Sequence, residues 1–343
     1  MRVLVFRFSA LGDVALTVPV LQKLAEQNPK AEITLVSRPF MEPLCTPLPV
    51  RFHGADVTKE YKGVPGLWRL YKELKKLYHP DVIIDLHYVL RSRVLSIFFK
   101  SNGTPVYHIN KGREGKKALS RPENKVRRQL PHTTERYAEV FRQAGLQLDF
   151  DPKDQPKINF ISEADLTSLL PENLDTPIIG LAPFAQHKGK MWPLSKSAKL
   201  LERLQALGYH CILFGGPQER KELDKLASGT MSRNAAGNFT LGVELTLMKE
   251  LDVMIAMDSS NMHMATLAGI PVVSIWGATH SAAGFGPLGE NEDLKAEIAI
   301  DKLECRPCSV YGNKPCLRGD YACLNWLEVA DVLQKVELAL KHS

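Results

Sequence analysis

Short apolar runs alternate with helical patterns along this chain, and the alternation occurs twice, on either side of a proline-rich stretch. In the first half, Val3–Phe8, Ile33–Val36, Val82–Leu86 and Val106–Ile109 read as strands, with helical spacing over Val14–Gln27, Val89–Phe99 and Thr134–Ala144 between or after them. The second half repeats the scheme. Strands are expected at Ile178–Ala182, His210–Phe214, Val253–Met257 and Val272–Trp276. Helices are expected at Ser195–Leu207, Gln218–Ala227, Leu245–Leu251, Ser259–Ala268 and Trp326–Lys341. Continuous apolar strands suit parallel sheets covered on both faces. Gln147–Pro177 carries Asp-Pro, Gln-Pro, Leu-Pro and Thr-Pro pairs and reads as a linker holding one short helix. The pattern predicts an α/β chain with two parallel sheets. Residues 1–160 would form one domain and 161–325 a second, with 326–343 a closing helix. Ligands of such domains bind beyond the carboxyl ends of the strands.

Composition narrows the functional classes. With 44% apolar and 24% charged residues the chain has enough material for packed cores, which excludes general disorder. It has no run of 18 apolar residues, so no membrane-spanning helix is expected. The first residues, interrupted by Arg7 and reaching Asp13 without a small-residue cleavage site, do not read as a secretory leader. A cytoplasmic location is therefore expected. The net charge of +6 suits an anionic ligand or an anionic membrane surface without specifying nucleic acid. Six cysteines in a chain without a leader argue against a disulfide framework.

Six segments can carry chemistry. Arg7 and Ser9-Ala10-Leu11-Gly12-Asp13 follow the first strand and enter a helix, where amide groups attract an anion. Asp13 there either complements the helix dipole or serves as a general base. The loop matches neither the dinucleotide nor the Walker glycine pattern. Asp258-Ser259-Ser260-Asn261-Met262-His263 opens a helix after a strand; its amides form a site for phosphate or diphosphate, with His263 one turn on. His187 through Pro193 places Lys188 and Lys190 at a strand end, as phosphate partners or as a solvated loop. Gly215-Gly216 lets backbone approach a ligand, and Glu219 either accepts from sugar hydroxyls or caps its helix. The basic run Lys111–Arg128 is a solvated loop or a contact for an anionic acceptor or acidic lipid; without aromatic residues it is a poor platform for single-stranded nucleic acid. Cys305, Cys308, Cys316 and Cys323 read equally as structural zinc ligands or as reduced thiols in a loop.

Taken in order, these segments resemble the ADP-heptose:lipopolysaccharide heptosyltransferases of glycosyltransferase family 9. The resemblance rests on Arg7 through Asp13 with Pro19, on Asp85-Leu86-His87 with Arg91-Ser92, and on Lys190-Met191-Trp192-Pro193. It continues through Gly215 to Glu219, Asp258 to His263, Pro271 and Trp276-Gly277-Ala278-Thr279. It implies a GT-B architecture, two Rossmann-like domains facing a cleft, with the last helix crossing back to the N-terminal domain. It implies an inverting transfer that needs no catalytic metal or other cofactor. Asp13 would be the general base and Lys190 the cation on the donor phosphates. Gly12, Glu219, Asp258, Ser259, Ser260, Asn261, His263 and Thr279 would hold the nucleotide sugar. Arg7, Ser9, His87, Arg91, Lys111 and Arg113 would hold an anionic glycolipid acceptor, and Lys111–Arg128 with Arg91 and Arg93 would touch the inner membrane. Ser260 departs from the family, which has glycine there.

Two rival classes make different demands. A nucleotide-sugar epimerase of the same fold turns over donor without acceptor, and needs an acid/base pair in the donor half that the sequence does not offer. A non-catalytic module for anionic polymers would rest on Lys111–Arg128 alone.

Overall fold

The computed structural model describes all residues except 172–175, 228, 230, 290, 291, 342 and 343, so the part of the expected linker over 172–175 lies outside the described residues. The chain divides into two units. The first comprises Met1–Lys111 and Thr133–Pro152; the second comprises Gly112–His132 and Lys153–Ser343.

In the first unit the elements run β1 (Arg2–Phe6), α1 (Leu11–Ala15), α2 (Val18–Gln27), β2 (Glu32–Ser37), β3 (Arg51–Gly54), α3 (Gly63–Tyr78), β4 (Val82–Asp85), α4 (Leu90–Ser101) and β5 (Val106–His108). The chain then leaves through α5 (Arg113–Ser120), which belongs to the second unit, and returns in α6 (Thr133–Gln143). The strands pair in parallel in the order β3-β2-β1-β4-β5. The expected single helix over Val14–Gln27 is split in two. Pro19 lies in the first turn of α2, lacks an amide donor, and its ring clashes with the carbonyl four residues back. The core gathers Leu4, Phe6 and Phe8 with Leu70, Tyr71, Leu95 and Phe99.

The second unit runs β6 (Ile178–Ala182), α7 (Leu194–Ala206), β7 (His210–Leu213), α8 (Arg220–Leu226), β8 (Ser232–Asn234), α9 (Leu241–Met248), β9 (Val253–Met257) and α10 (Ser260–Leu267). After these come β10 (Val272–Trp276), β11 (Lys295–Glu297), α11 (Ala322–Asn325) and α12 (Val329–Leu340). Its strand order is β11-β10-β9-β6-β7-β8, again all parallel. Both sheets thus follow the Rossmann order, in which the chain winds outward from a central strand and then reverses. The switch point lies between β1 and β4 in one unit and between β6 and β9 in the other.

Three expectations about organisation are corrected. The division at 160 fails because the chain changes unit more than once. Leu119 and Leu130 pack on Ala282 and Ala283, and the Leu130 amide donates to the Ala282 carbonyl, so Gly112–His132 lies in the second unit. The final helix, expected on the N-terminal domain, buries Val332, Val336 and Ala339 in the core of the second unit. Its start is fixed there because Trp192 Nε1 and Lys196 Nζ donate to the Leu327 carbonyl. No helix appears among the described residues of the expected linker. Among the described residues, no helix is long and apolar enough to cross a membrane.

Glu244, on α9, carries a prediction about stability. Burial raises its carboxyl from the ordinary 4.5 to about 7. In the unfolded chain it ionises at the lower value, so its contribution is complete below that value and is lost as pH rises to about 7. Urea unfolding should therefore show a loss on the order of 3 kcal/mol from this group between acidic and mildly alkaline pH. Glu244→Gln should flatten that slope; an unchanged slope would assign it to other groups.

Candidate active site

Both switch points hold a charged pair: in the second unit it bridges the loops that leave the two central strands, and in the first it lies within the segment after β1. In the first unit Arg7 leaves β1 and is nearly buried. Its Nη1 donates to the Leu86 carbonyl beyond β4 at 2.9 Å. Its Nη2 meets Asp13 Oδ2 at 2.6 Å. The Ala10 amide also donates to Asp13 Oδ2, at 3.2 Å. Both contacts fall on one carboxylate oxygen, while the Asp13 side chain keeps 31% of its exposure. Asp13 therefore complements its own helix start, and its side chain stays part-exposed.

Asp85 ends β4 and is fully buried. Its Oδ1 accepts from the amides of His87 and Tyr88 at 2.9 and 2.7 Å, which folds the loop and aims His87 back toward β1. His87 Nε2 lies 3.5 Å from Ser9 Oγ. Burial, with the positive charges of Arg7, Lys111 and Arg91, pushes His87 down to about 3. The imidazole is therefore neutral at neutral pH and can accept or donate one hydrogen bond without adding charge. The structure thus brings Arg7, Ser9, Asp13, His87, Lys111 and Arg91 into one neighbourhood. Gly12 stands with Asp13 on α1 in the first unit; the other expected donor residues belong to the second unit. Arg113 starts α5, which belongs to the second unit, two residues after Lys111.

In the second unit Lys190 ends a 3-10 turn after β6, and its Nζ meets Asp258 Oδ2 beyond β9 at 2.9 Å. This turn is tightly packed: a Cβ on Gly189 would sit 2.8 Å from the Gly312 carbonyl, so only glycine fits. Ser259 is the N-cap of α10, yet its side chain makes no capping bond and its Oγ is buried without a partner. Thr279 Oγ1, beyond β10, is likewise buried without a partner. Unpaired buried hydroxyls are costly unless a ligand pairs them. Two such groups, a cation and the first amides of α10 together make a site suited to a diphosphate. Ser260 and Asn261 occupy the first positions of α10, and His263 is buried one turn on. His132 lies within electrostatic reach of His263. Glu219 closes its own turn, accepting from the Gly216 amide at 2.6 Å. A Cβ on Gly215 would meet that carboxylate at 2.7 Å.

One expectation is narrowed and one is corrected. Of the two readings of the cysteines, reduced thiols are what the structure holds: all six cysteines are free, and among the described residues no three His, Cys, Asp or Glu side chains form a metal-binding group. The four clustered thiols nonetheless lie within electrostatic reach of one another, Cys308 and Cys323 buried and Cys305 and Cys316 part-exposed. The basic run is not a solvated loop throughout. Lys116 is buried with its Nζ 4.0 Å from the Phe285 ring centre. Lys125 donates to the carbonyls of Cys305 and Pro307, and Arg127 to that of Glu304.

One residue was not read from the sequence. Arg306, fully buried, donates to the carbonyls of Gly277, Trp276, Ile298 and Thr279 and pairs with Glu297 at 2.8 Å. Burial alone would raise Glu297, but the hydrogen bond from His280 and the charge of Arg306 bring it down to about 2. This network pins the cysteine-bearing loop to β10 and β11. An arginine between Cys305 and Pro307 carries no local signal of such a role.

Two Rossmann-ordered parallel sheets, each with a charged pair at its switch point, fit the GT-B fold. A model of glycosyltransferase family 9 (heptosyltransferase) matches residues 67–315. The chain belongs to this family, and it is a glycosyltransferase. Among relatives, it is 26% identical to lipopolysaccharide heptosyltransferase 1 of Pseudomonas aeruginosa, across 90% of this chain and 86% of that one. It is 25% identical to lipopolysaccharide heptosyltransferase 2 of Escherichia coli, across 84% and 85%. Among solved structures, a family 9 glycosyl transferase from Veillonella parvula superposes with TM-score 0.78 at 20% identity, covering 100% and 98% of the two chains. The E. coli heptosyltransferase WaaC with ADP superposes with TM-score 0.67 at 19% identity, covering 99% and 100%.

Proposed function

We propose that this enzyme transfers a heptose from ADP-heptose to the inner core of lipopolysaccharide, with inversion and without a catalytic metal. The observation that carries the reading is the Lys190–Asp258 pair beside the unpartnered hydroxyls of Ser259 and Thr279. In this reading the diphosphate lies on Lys190 and the first amides of α10, which stabilise the charge that develops as ADP leaves. Asp13 takes the proton of the acceptor hydroxyl as its oxygen attacks the anomeric carbon. One in-line displacement inverts that carbon, so no second nucleophilic carboxylate is needed. Arg7 and Ser9, with Lys111, Arg91 and neutral His87, receive the anionic glycolipid. The acceptor is a lipid, so the work is done at the cytoplasmic face of the inner membrane. Relatives named as lipopolysaccharide heptosyltransferases support the choice of heptose and of lipopolysaccharide, and a solved heptosyltransferase with ADP supports the nucleotide.

The test is ADP release from ADP-heptose with and without a Kdo-lipid A acceptor. Acceptor-dependent release supports the reading. Consumption of donor without acceptor would replace it with epimerisation, and no turnover with ADP-heptose, alongside turnover of a UDP- or GDP-sugar, would replace the donor.

A further inference from the structure

The outer faces of α3 and α4 carry a surface that neither the fold nor the candidate site uses. The two helices pack together through Trp68, Tyr71, Phe98 and Phe99, whose rings lie 4.9–5.8 Å apart. On α4, Ser92, Leu95, Ser96 and Phe99 face the core. The opposite face shows Leu90 and Ile97, two turns apart, while Val94 beside them packs against the core. Leu90 is 77% and Ile97 60% exposed. On α3 the shoulder nearest α4 shows Val64 and Trp68, 59% and 44% exposed. A stripe of exposed apolar groups on the wrong side of a helix is unusual on a soluble surface and points to a partner.

Charge identifies the partner. The two helices carry Arg69, Lys72, Lys75, Lys76, Arg91, Arg93 and Lys100 against one acid, Glu73. Glu73 accepts from the Tyr61 hydroxyl. Just outside them, Asp81 is paired with Arg2 and Asp85 is buried. On the helical wheel Lys72 and Lys76 flank the apolar strip on one side and Lys100 on the other, while Arg69 donates to the Glu60 carbonyl and Arg93 lies over the Tyr88 ring. An apolar crest with a tryptophan at its shoulder and long cationic side chains along both flanks is the pattern of a helix lying in the headgroup region. There the apolar crest enters the acyl boundary while the cations reach out to phosphates. A protein partner would also need acidic groups opposite two separated cationic rows, which a sheet of anionic headgroups supplies at every position.

We propose that the α3–α4 face docks this enzyme on an anionic phospholipid bilayer. The use of such docking, to reach a lipid-borne acceptor, rests on the transferase reading; the binding itself does not. It also moves the membrane contact away from Lys111–Arg128, where Lys116, Lys125 and Arg127 already hold their own chain.

The test is co-sedimentation of the full chain with vesicles of phosphatidylglycerol and phosphatidylethanolamine, against pure phosphatidylcholine, without donor or acceptor. Binding to the anionic vesicles only, weakened by added salt, is expected. Each basic residue at the surface contributes about a fivefold change in partitioning, so Lys72→Gln, Lys76→Gln and Lys100→Gln together should weaken it about a hundredfold. Ile97→Asp should also weaken it, and both variants should keep the parent melting temperature, since these side chains are exposed. Lys117→Gln, Arg121→Gln and Arg128→Gln should leave binding unchanged. No binding to anionic vesicles would overturn the proposal. So would loss of binding in the second set but not the first, or a concentration-dependent dimer abolished by Ile97→Asp. ADP release on a soluble acceptor fragment reports the transferase reading separately.

Discussion

Asp13→Asn is expected to lower turnover by roughly 10²–10⁴-fold, the range supplied by a positioned general base, while leaving the affinity for ADP unchanged. Asn keeps the shape of Asp, so its oxygen can still accept from Arg7 and from the Ala10 amide, which now meet on Oδ2. What disappears is the ability to take a proton. Arg7 loses an anionic partner but keeps its bond to the Leu86 carbonyl, so the loop should persist with a modest fall in melting temperature. Apart from Gly12, whose backbone the substitution leaves in place, the nucleotide-binding candidates lie in the other unit, which is why ADP-induced thermal stabilisation should be retained. The measurement is ADP release under single-turnover conditions with saturating donor, alongside thermal shift with ADP. Turnover near that of the parent enzyme would return Asp13 to a helix-dipole role and leave the base unassigned.

How much of this was legible in the sequence depends on where each element gets its stability. Central strands such as Val3–Phe6 and Val253–Met257 are buried on both faces, and their apolar runs announce them. The strands β3, β8 and β11 are short and polar, Arg51–Gly54, Ser232–Asn234 and Lys295–Glu297. Their pairing is made of backbone bonds to a neighbour strand, which leaves no side-chain period to read. The amphipathic pattern of α12 predicts a buried face, but not which core receives it; Trp192 and Lys196 decide that from α7 and the loop before it. The placement of Gly112–His132 likewise depends on Ala282 and Ala283, far along the chain. Of the candidate loop residues, Asp258 follows an apolar strand directly, whereas Asp13, His87 and Lys190 were singled out through the family resemblance. That Lys190 pairs with Asp258 follows only from the adjacency of β6 and β9.

That pairing makes the second large effect unusual in form. Lys190→Met removes a cation from the proposed diphosphate site, and loss of one such stabiliser lowers kcat by roughly 10²–10³-fold. It also leaves Asp258, a nearly buried carboxylate, without its counter-ion. An uncompensated carboxylate repels the diphosphate in the ground state and in the transition state alike. The single variant should therefore suffer in both kcat and KM for the donor. Adding Asp258→Asn removes the repulsion without restoring the cation. The double variant Lys190→Met, Asp258→Asn should then regain most of the donor KM, while kcat stays low. The two effects are non-additive because the residues are in contact. A structural role for Lys190, which would only neutralise Asp258, predicts recovery of kcat as well in the double variant. Steady-state kinetics of the two single variants and the double variant, with melting temperatures for each, therefore separates a lysine that acts on the leaving diphosphate from one that serves only to keep its neighbour in place.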